Sequence, residues 1–315
     1  MSATNIGTPY KVSNSEIQTF KDCRRKWWLA YYRRLKPRAE KFTGPLALGS
    51  RIHEALDVYY STGTPLLEAH ADLLKLDRLK MYGNGMDPSI LDSEGDLGRI
   101  MLEGYLEWVS DEGIDVELDM ISTEEILSLQ LFDGRVELQG KLDMRVRRKS
   151  DGVRMFRDFK TVGGSFADYA QSAQLNEQIM TYMILEAAQN KEGERSSGGI
   201  FTLLKKVKRT ANAKPPFYYQ FEVNHNQFTL RSFWKRLHGE IADLMRLKEN
   251  LDNGVSHQEV AYPRPSGDCK WKCQFYSICP MFDDGSAVEQ AIDNQFVASD
   301  PYDYYKDSDL KKGND

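Results

Sequence analysis

Several features are missing from this 315-residue sequence, and each absence removes a class of protein. No apolar run approaches the roughly eighteen residues that a membrane-spanning helix needs. The opening MSATNIGTPYK lacks the apolar core of a signal peptide. There is no internal repeat and no GxxxxGK[ST] phosphate loop, so a nucleotide-driven motor is not expected. We therefore expect a protein of the cytoplasm with no membrane partner.

Cysteine is scarce, and the four that occur form one pattern. Three lie in the run CKWKCQFYSIC as Cys269, Cys273 and Cys279, and the fourth is Cys23 near the start. Few cysteines and no export signal indicate a reducing compartment, which disfavours disulfides and favours a metal site. Clustered thiolates select Zn²⁺ or an iron–sulfur cluster, and a distant fourth ligand would join the two ends of the chain. Four unrelated buried thiols are the alternative.

The net charge of −5 is small but unevenly distributed. Residues 283–315 hold nine acids and three lysines, a charge of −6, which leaves +1 for residues 1–282. We expect this acidic tail to be flexible. The rest of the chain contains three basic clusters: Arg24, Arg25, Lys26, Arg33, Arg34, Lys36 and Arg38; Arg145, Arg147, Arg148 and Lys149; Lys205, Lys206, Lys208 and Arg209. Such clusters can bind phosphates, although each alone is more often a solvated face.

Helical periodicity dominates the first third of the chain. A capping box at Ser13 to Glu16 predicts a helix that continues to about Tyr32 and carries Cys23. A second helix is predicted over about 46–60 and carries His53, and more helix follows over 65–110. The later predicted elements are strands near 120–131, 135–147, 153–162, 198–208 and 216–223, and helices near 166–189 and 227–250.

Asp-Gly pairs between alternating stretches are strong hairpin signals, and they occur here at 133–134 and 151–152. If Asp151-Gly152 is a two-residue turn, Asp143 faces Lys160 and Asp158 faces Arg145. Since side chains alternate along a strand, Asp143, Asp158 and Lys160 would project from one face. Two carboxylates suit Mg²⁺ or Mn²⁺, and a lysine could orient or deprotonate a water. An ordinary surface ion pair is the alternative.

The motifs around this hairpin resemble those of a known family. Gly140-x-x-Asp143 followed across the hairpin by Asp158-x-Lys160-Thr161 looks like the signature of the PD-(D/E)XK nucleases. The other signals resemble the RecB-like branch, which includes the iron–sulfur exonucleases of CRISPR adaptation and their phage relatives. The matching stretches are Gly49 to His53 as Gly-x-x-x-His, Gln178 to Tyr182 as Gln-x-x-x-Tyr, the opening Asn14 to Cys23, and the terminal cysteine trio.

The resemblance covers about residues 13–280 and implies a role for each matched residue. His53, Asp143, Asp158 and the Phe159 backbone carbonyl would bind the divalent metal. Lys160 would act on the nucleophilic water. Gln178 and Tyr182 would contact DNA, and Cys23, Cys269, Cys273 and Cys279 would hold a 4Fe-4S cluster, with Zn²⁺ as the alternative. Arg24 and Arg25 flank Cys23, so the cluster could anchor this basic helix against DNA. Two departures are Asp158, where many members have Glu, and the x3–x5 cysteine spacing, where x2–x5 is common.

Together these features predict an α/β, restriction-endonuclease-like nuclease domain over residues 1–282. Its parts would be a helical segment over 1–115, a nuclease core over 116–250 and a cysteine-rich loop over 251–282. The expected activity is Mg²⁺- or Mn²⁺-dependent exonucleolytic hydrolysis of DNA, for end processing or recombination. Alternatives are a nuclease that trims DNA for CRISPR spacer acquisition, with recombination or CRISPR-adaptation proteins as partners, and a non-catalytic DNA-binding subunit with structural Zn²⁺. An oligomer is compatible with the sequence.

Overall fold

The structure is a computed structural model that describes residues 8–303 and residue 305. The chain divides into two compact units. The first contains the residues up to Glu40, Ser128–Gln139 and the residues from Gln227 onward; the second contains Lys41–Leu127 and Gly140–Asn226. No helix in the described part of the chain has the length and apolarity to cross a membrane.

Eight strands and eleven α-helices are present in the described residues. The strands are β1 Tyr10–Ser13, β2 Leu35–Pro37, β3 Leu118–Leu131, β4 Val136–Arg148, β5 Arg154–Val162, β6 Ser196–Lys205, β7 Tyr218–Val223 and β8 Phe296–Ala298. The helices are α1 Asn14–Asp22, α2 Arg24–Trp27, α3 Pro45–Thr62, α4 Leu66–Gly83, α5 Asp92–Glu112, α6 Phe166–Ala173, α7 Glu177–Ala188, α8 Gln227–Asp252, α9 His257–Val260, α10 Cys269–Lys272 and α11 Val288–Gln295. This mixed α/β architecture confirms the predicted restriction-endonuclease-like fold class.

The second unit is built on the sheet order β4-β5-β6-β7, with β3 beside β4. Strands β4 and β5 are antiparallel, β5 and β6 are parallel, and β6 and β7 are antiparallel. A parallel pair needs a crossover connection, and here α6 and α7 supply it. The single helix predicted over 166–189 is interrupted at Gln174–Asn176, where the Asn176 side chain caps α7 by accepting from the Gln178 N–H.

Helix α3 is bounded by residues that favour its two ends. Pro45 occupies the first turn, where its missing N–H costs nothing, and Gly63 ends the helix in the left-handed conformation with φ 75°. The apolar face of α3 packs into a core with α5 and the strands, in which Ile52 and Leu56 are buried. This packing fixes the position of His53, which follows Ile52 directly.

The register of the β4–β5 hairpin differs from the prediction. Met144 pairs with Arg157 and Arg145 with Phe156, two residues away from the predicted pairing. The connection is longer than two residues because the Arg148 N–H donates to the Val153 carbonyl and encloses Lys149–Gly152. A shift of two residues preserves the faces of the strands, since side chains alternate with period two. Asp143, Asp158 and Lys160 therefore still share a face, while Arg145 is not opposite Asp158.

The first unit contains strands that the sequence patterns missed. Tyr10–Ser13 pairs in parallel with Val136–Gln139, the first residues of β4. Strands β2 and β8 form a separate antiparallel pair. Each of β1, β2 and β8 is only three or four residues long, too short to show an alternating pattern.

Cys23 interrupts the helix on which it was expected to lie. Its backbone is extended, with φ −163° and ψ 115°, between the end of α1 and the start of α2. The five residues after α2, Trp28–Tyr32, form a π-helical turn. The predicted helix over 14–32 is therefore divided into three short helices, and Cys23 lies at the break between the first two.

The tail predicted to be flexible, residues 283–315, contains regular structure in its described part. Helix α11 and strand β8 lie there, and the carboxylates pair with arginines of the first unit. Asp283 contacts Arg25 at 2.5 Å and Glu289 contacts Arg33 at 2.7 Å. Two of the acids that suggested disorder are thus held in ion pairs. Residues 304 and 306–315 lie outside the described residues.

Gly140→Ala should destabilise the second unit, because its backbone lies against α7. A β-carbon at this position would lie 2.7 Å from Leu185 Cδ1 and 2.9 Å from the Tyr182 ring. Overpacking of this kind costs about 1–3 kcal/mol. Gly239→Ala is the matched control: a β-carbon there meets nothing within 4 Å, and alanine within a helix should add about 0.5–1 kcal/mol. Urea unfolding measures both, and equal stabilities would contradict this packing.

Candidate active site

The first element of the site is a contact between α3 and β4. His53 Nδ1 lies 3.2 Å from Asp143 Oδ2, with the two side chains 26 % and 18 % exposed. The same carboxylate oxygen accepts the Phe159 backbone N–H at 3.0 Å. Asp143 is thus held by one helix and by the adjacent strand.

The second element is a buried charge pair on β5. Asp158 is 2 % exposed, and its Oδ2 lies 2.7 Å from Lys160 Nζ. This contact is an ion pair, since Asp158 Oδ2 receives no well-aligned hydrogen bond from the described residues. A buried carboxylate is costly unless its charge is paired, and Lys160 supplies that pairing in the absence of a metal ion.

The two carboxylates have opposite pKa shifts. Burial would raise the pKa of Asp143, but the charges of His53 and Lys160 and the bonds from His53 and the Phe159 N–H lower it to about 2. For Asp158, burial raises the pKa and the charge of Asp143 adds to this effect, while Lys160 opposes it; the result is about 6. Divergent pKa values in neighbouring acids are typical of active sites.

The two basic groups remain readily protonated in the metal-free protein. Burial lowers the pKa of His53, but Asp143 outweighs it and the net shift is upward. Burial also lowers the pKa of Lys160, and the charges of Asp158 and Asp143 reverse this, so its pKa rises above its ordinary value. Lys160 is therefore a cation at neutral pH.

Two further side chains lie at the site and were missed by the sequence patterns. Tyr169 on α6 has its pKa raised to about 12, first by burial and then by Asp158 and Asp143, while Lys160 opposes. Glu124 on β3 forms an ion pair with Lys141, and burial raises its pKa with a contribution from Asp143. Its φ of 48° is unusual for a residue other than glycine within a strand. That conformation has no sequence signal.

The Gln-x-x-x-Tyr residues form a chain of hydrogen bonds inside the second unit. Gln178 Nε2 donates to the Tyr182 hydroxyl at 2.8 Å, and this hydroxyl donates to the Lys141 carbonyl at 2.8 Å. Lys141 is two residues before Asp143. The Tyr182 side chain is 8 % exposed and its hydroxyl is engaged within the protein, and its contact with DNA stays a prediction.

The four cysteines line one cavity of about 640 Å³ in the first unit. All are half-buried free thiols. Cys23 Sγ accepts the Arg264 N–H at 3.4 Å, and Cys269 Sγ accepts the Ser266 N–H at 3.3 Å. Burial raises the pKa of Cys273 and of Cys279, and the neighbouring thiols add to this shift.

The two arginines beside Cys23 differ in their surroundings. Arg25 is 2 % exposed, pairs with Asp283 and donates to the Cys279 carbonyl at 3.2 Å. The guanidinium of Arg25 is thus engaged within the protein, and its contact with DNA stays a prediction. Arg24 is half-buried and lies 5.0 Å from the Tyr262 ring centroid, so its contact with DNA stays a prediction.

The donor atoms can be compared with the metals that the sequence suggested. Within residues 8–303, no group of three or more His, Cys, Asp or Glu side chains is arranged to hold a metal ion. The donor chemistry fits nonetheless: hard carboxylate oxygens, one of them buried without a hydrogen bond, suit Mg²⁺ or Mn²⁺. The thiols around the cavity suit a soft metal. A divalent ion would compete with the direct His53–Asp143 contact.

The sequence matches the model of the PD-(D/E)XK nuclease superfamily over residues 11–280. This is most of the chain, and the protein belongs to that superfamily. Its members usually use divalent metals such as Mg²⁺. The range includes His53, the β4–β5 hairpin and the cysteine trio. No curated protein matches the sequence.

Two solved structures are similar at low identity. A candidate exonuclease from Eubacterium rectale is 13% identical, over 87% of this chain and 99% of that chain, with a TM-score of 0.47. A second protein, which carries only a locus name, is 15% identical over 84% of this chain and 96% of that chain, with a TM-score of 0.29. Neither similarity is close enough to bear on function.

The raised pKa of Asp158 predicts a pH-dependent stability in the metal-free protein. The Asp158 carboxyl binds its proton more tightly in the folded state than in the unfolded chain, where its pKa is near 3.8. The contribution of Asp158 to the free energy of unfolding therefore falls as the pH rises from about 4 to about 6. Asp158→Asn should therefore gain stability relative to the parent between pH 4.5 and 7 in urea unfolding with chelator.

Asp151→Asn is the matched control for this measurement. Asp151 lies in the hairpin connection, and its pKa is lowered by Arg148, so it stays ionised over the same range. The stability difference between this variant and the parent should not change with pH. A constant difference for Asp158→Asn as well would contradict the raised pKa.

Proposed function

We propose that this protein is a metal-dependent DNA exonuclease. The observation that carries the proposal is the gathering of His53, Asp143, Asp158 and Lys160 in a chain that belongs to the PD-(D/E)XK superfamily. Two carboxylates, an imidazole and a lysine match what phosphodiester hydrolysis by a divalent ion requires. The RecB-like resemblance of the motifs favours action from DNA ends.

The residues of the site have distinct proposed roles. His53, Asp143, Asp158 and the Phe159 carbonyl would bind a divalent ion, which supplies polarisation of the phosphoryl oxygen and acidification of a water. Lys160 acts as a cation, since its pKa is raised and Asp158 lies 2.7 Å away. It orients the attacking water and offsets phosphate charge, which favours this role over that of a general base.

The hydrogen-bond chain from Gln178 through Tyr182 positions the β4 backbone. The Tyr182 hydroxyl ends on the Lys141 carbonyl, and Gly140 allows the ring to approach. Asp143 follows two residues later on the same rigid strand. Side chains that bind a metal need such supporting contacts to keep their orientation.

The cysteine cavity is proposed to hold a 4Fe-4S cluster, with structural Zn²⁺ as the rival. Support comes from four half-buried thiols around one cavity and from the resemblance of the cysteine pattern to the RecB-like branch. The cluster would join residues almost 250 positions apart. DNA ends are the proposed substrate, in end processing or recombination.

End-labelled linear DNA with Mn²⁺ provides the direct test of activity. The parent should release label progressively, while Asp158→Ala should lose at least about a hundredfold in rate, because a metal-binding carboxylate is removed. Closed circular DNA should remain intact if ends are required. Asp168→Ala, an exposed acid on α6, is the control and should cut normally. Equal cutting by Asp158→Ala would refute the assignment of the site, and binding without cutting by the parent would indicate a non-catalytic subunit.

Cys23→Ala should lose bound metal and destabilise the first unit. A metal that closes a loop of this length stabilises by roughly 5 kcal/mol through the entropy of the unfolded chain. Metal analysis, absorbance near 400 nm and urea unfolding report the effect, with the exposed Ser15→Ala as control. Absorbance from iron supports the cluster, and a colourless protein with zinc supports the rival. A stable, fully active Cys23→Ala without metal would contradict both.

A further inference from the structure

The connection between β6 and β7 is the most one-sidedly charged segment of the second unit. Residues 195–221 contain six basic residues and no acidic one. Four of the six lie in the connection 206–217: Lys206, Lys208, Arg209 and Lys214. Lys205 directly precedes it as the last residue of β6.

The other basic clusters of the sequence are partly or fully neutralised. In the β4–β5 hairpin, Arg145 pairs with Glu125 and Glu186, and Arg148 pairs with Asp151 and Glu222. Arg147 and Lys149 also have carboxylate partners. By contrast, no carboxylate within the described residues forms an ion pair with the cations of 205–214; Lys205, Lys208 and Arg209 contact hydroxyls or aromatic rings instead.

The strand register brings this connection close to the candidate active site. In the parallel pair, Lys160 is opposite Leu203 and Val162 is opposite Lys205. The Lys206 N–H then donates to the Val162 carbonyl at 2.8 Å. Two residues of a strand span roughly 7 Å, so the basic segment begins about that distance along β5 from Lys160.

The basic side chains of the connection differ in their exposure and in their contacts with the rest of the protein. Arg209 lies 3.6 Å over the Phe217 ring and donates to the Tyr218 hydroxyl at 2.6 Å, so it anchors the connection to the protein. Lys206 is half-buried, and Lys208 and Lys214 are exposed. Lys208 Nζ donates to the neutral Ser93 hydroxyl at 3.2 Å. These lysines can exchange solvent for phosphate without breaking an ion pair.

We infer that the connection 206–217 binds the phosphate backbone of the DNA next to the scissile bond, through Lys206 and Lys208. The inference rests on the proposed function, since it extends the same site to its substrate. Unpaired lysines on an anchored segment beside a hydrolytic centre would neutralise phosphates and release their counterions. Such contacts position the DNA without reading its sequence.

Salt-dependent binding tests the inference in the inactive Asp158→Ala background, with duplex DNA and no added divalent metal. Each lost phosphate contact should reduce the slope of log K against log salt by about 0.9, so K206Q/K208Q should reduce it by about 1.8. Its affinity deficit should shrink about twelvefold between 50 and 200 mM salt. In the active enzyme the same double variant should raise KM and leave kcat unchanged.

Two further variants control for charge and fold. K75Q/K80Q removes the same charge from two exposed lysines of α4 and should keep the parent slope. K206R/K208R keeps the positive charge and should therefore show the parent slope. Equal slopes for K206Q/K208Q and K75Q/K80Q would overturn the inference.

The outcomes also separate this inference from the proposed function. If the parent binds no DNA, both fail. If binding depends on Lys206 and Lys208 but no DNA is hydrolysed, the inference stands and the nuclease assignment fails. If DNA is hydrolysed but the slope is unchanged in K206Q/K208Q, only the inference fails.

Discussion

A carboxylate buried beside a single cation is the constraint around which the second unit is arranged. Asp158 is almost inaccessible, and its charge is offset mainly by Lys160, two residues further along the same strand. Buried charge is unfavourable unless it is paired or bound to metal. The neighbouring strand and helix add Asp143 and His53, which form their own pair. The result is two adjacent acid–base pairs.

Glycines at two motif positions explain how these elements come so close. A β-carbon on Gly140 would collide with the Tyr182 ring, and one on Gly49 would lie 3.2 Å from the Thr161 hydroxyl. The first contact brings α7 against β4 near Asp143, and the second brings α3 against the end of β5. Both glycines therefore act through the space they leave open, and neither has a positive φ.

The electrostatic character of a charged cluster in this protein depends on the partners of its side chains rather than on the number of charges in the sequence. The cluster at 145–149 and the cluster at 205–209 look equally basic in the sequence. Folding neutralises the first through carboxylates of other elements, such as Glu186, which contacts both Arg145 and Arg154. The second meets hydroxyls and rings instead. In the acidic segment after residue 282, Asp283 and Glu289 likewise form ion pairs, in this case with arginines.

Local patterns in the sequence were sufficient to predict the long elements and to predict that the site residues of β4 and β5 share one face of the sheet. Period-two alternation around Asp-Gly pairs predicts β3, β4 and β5, and it places Asp143, Asp158 and Lys160 on one side even when the register is wrong by two residues. The pairing of His53 with Asp143, the burial of Arg25 and Tyr182, the extended Cys23 and the short strands β1, β2 and β8 depended on the tertiary structure. The physical reason is that periodicity reports only which face a residue occupies within its own element. Which residues meet across elements, and which charges become neutralised, is decided by packing between segments far apart in the chain.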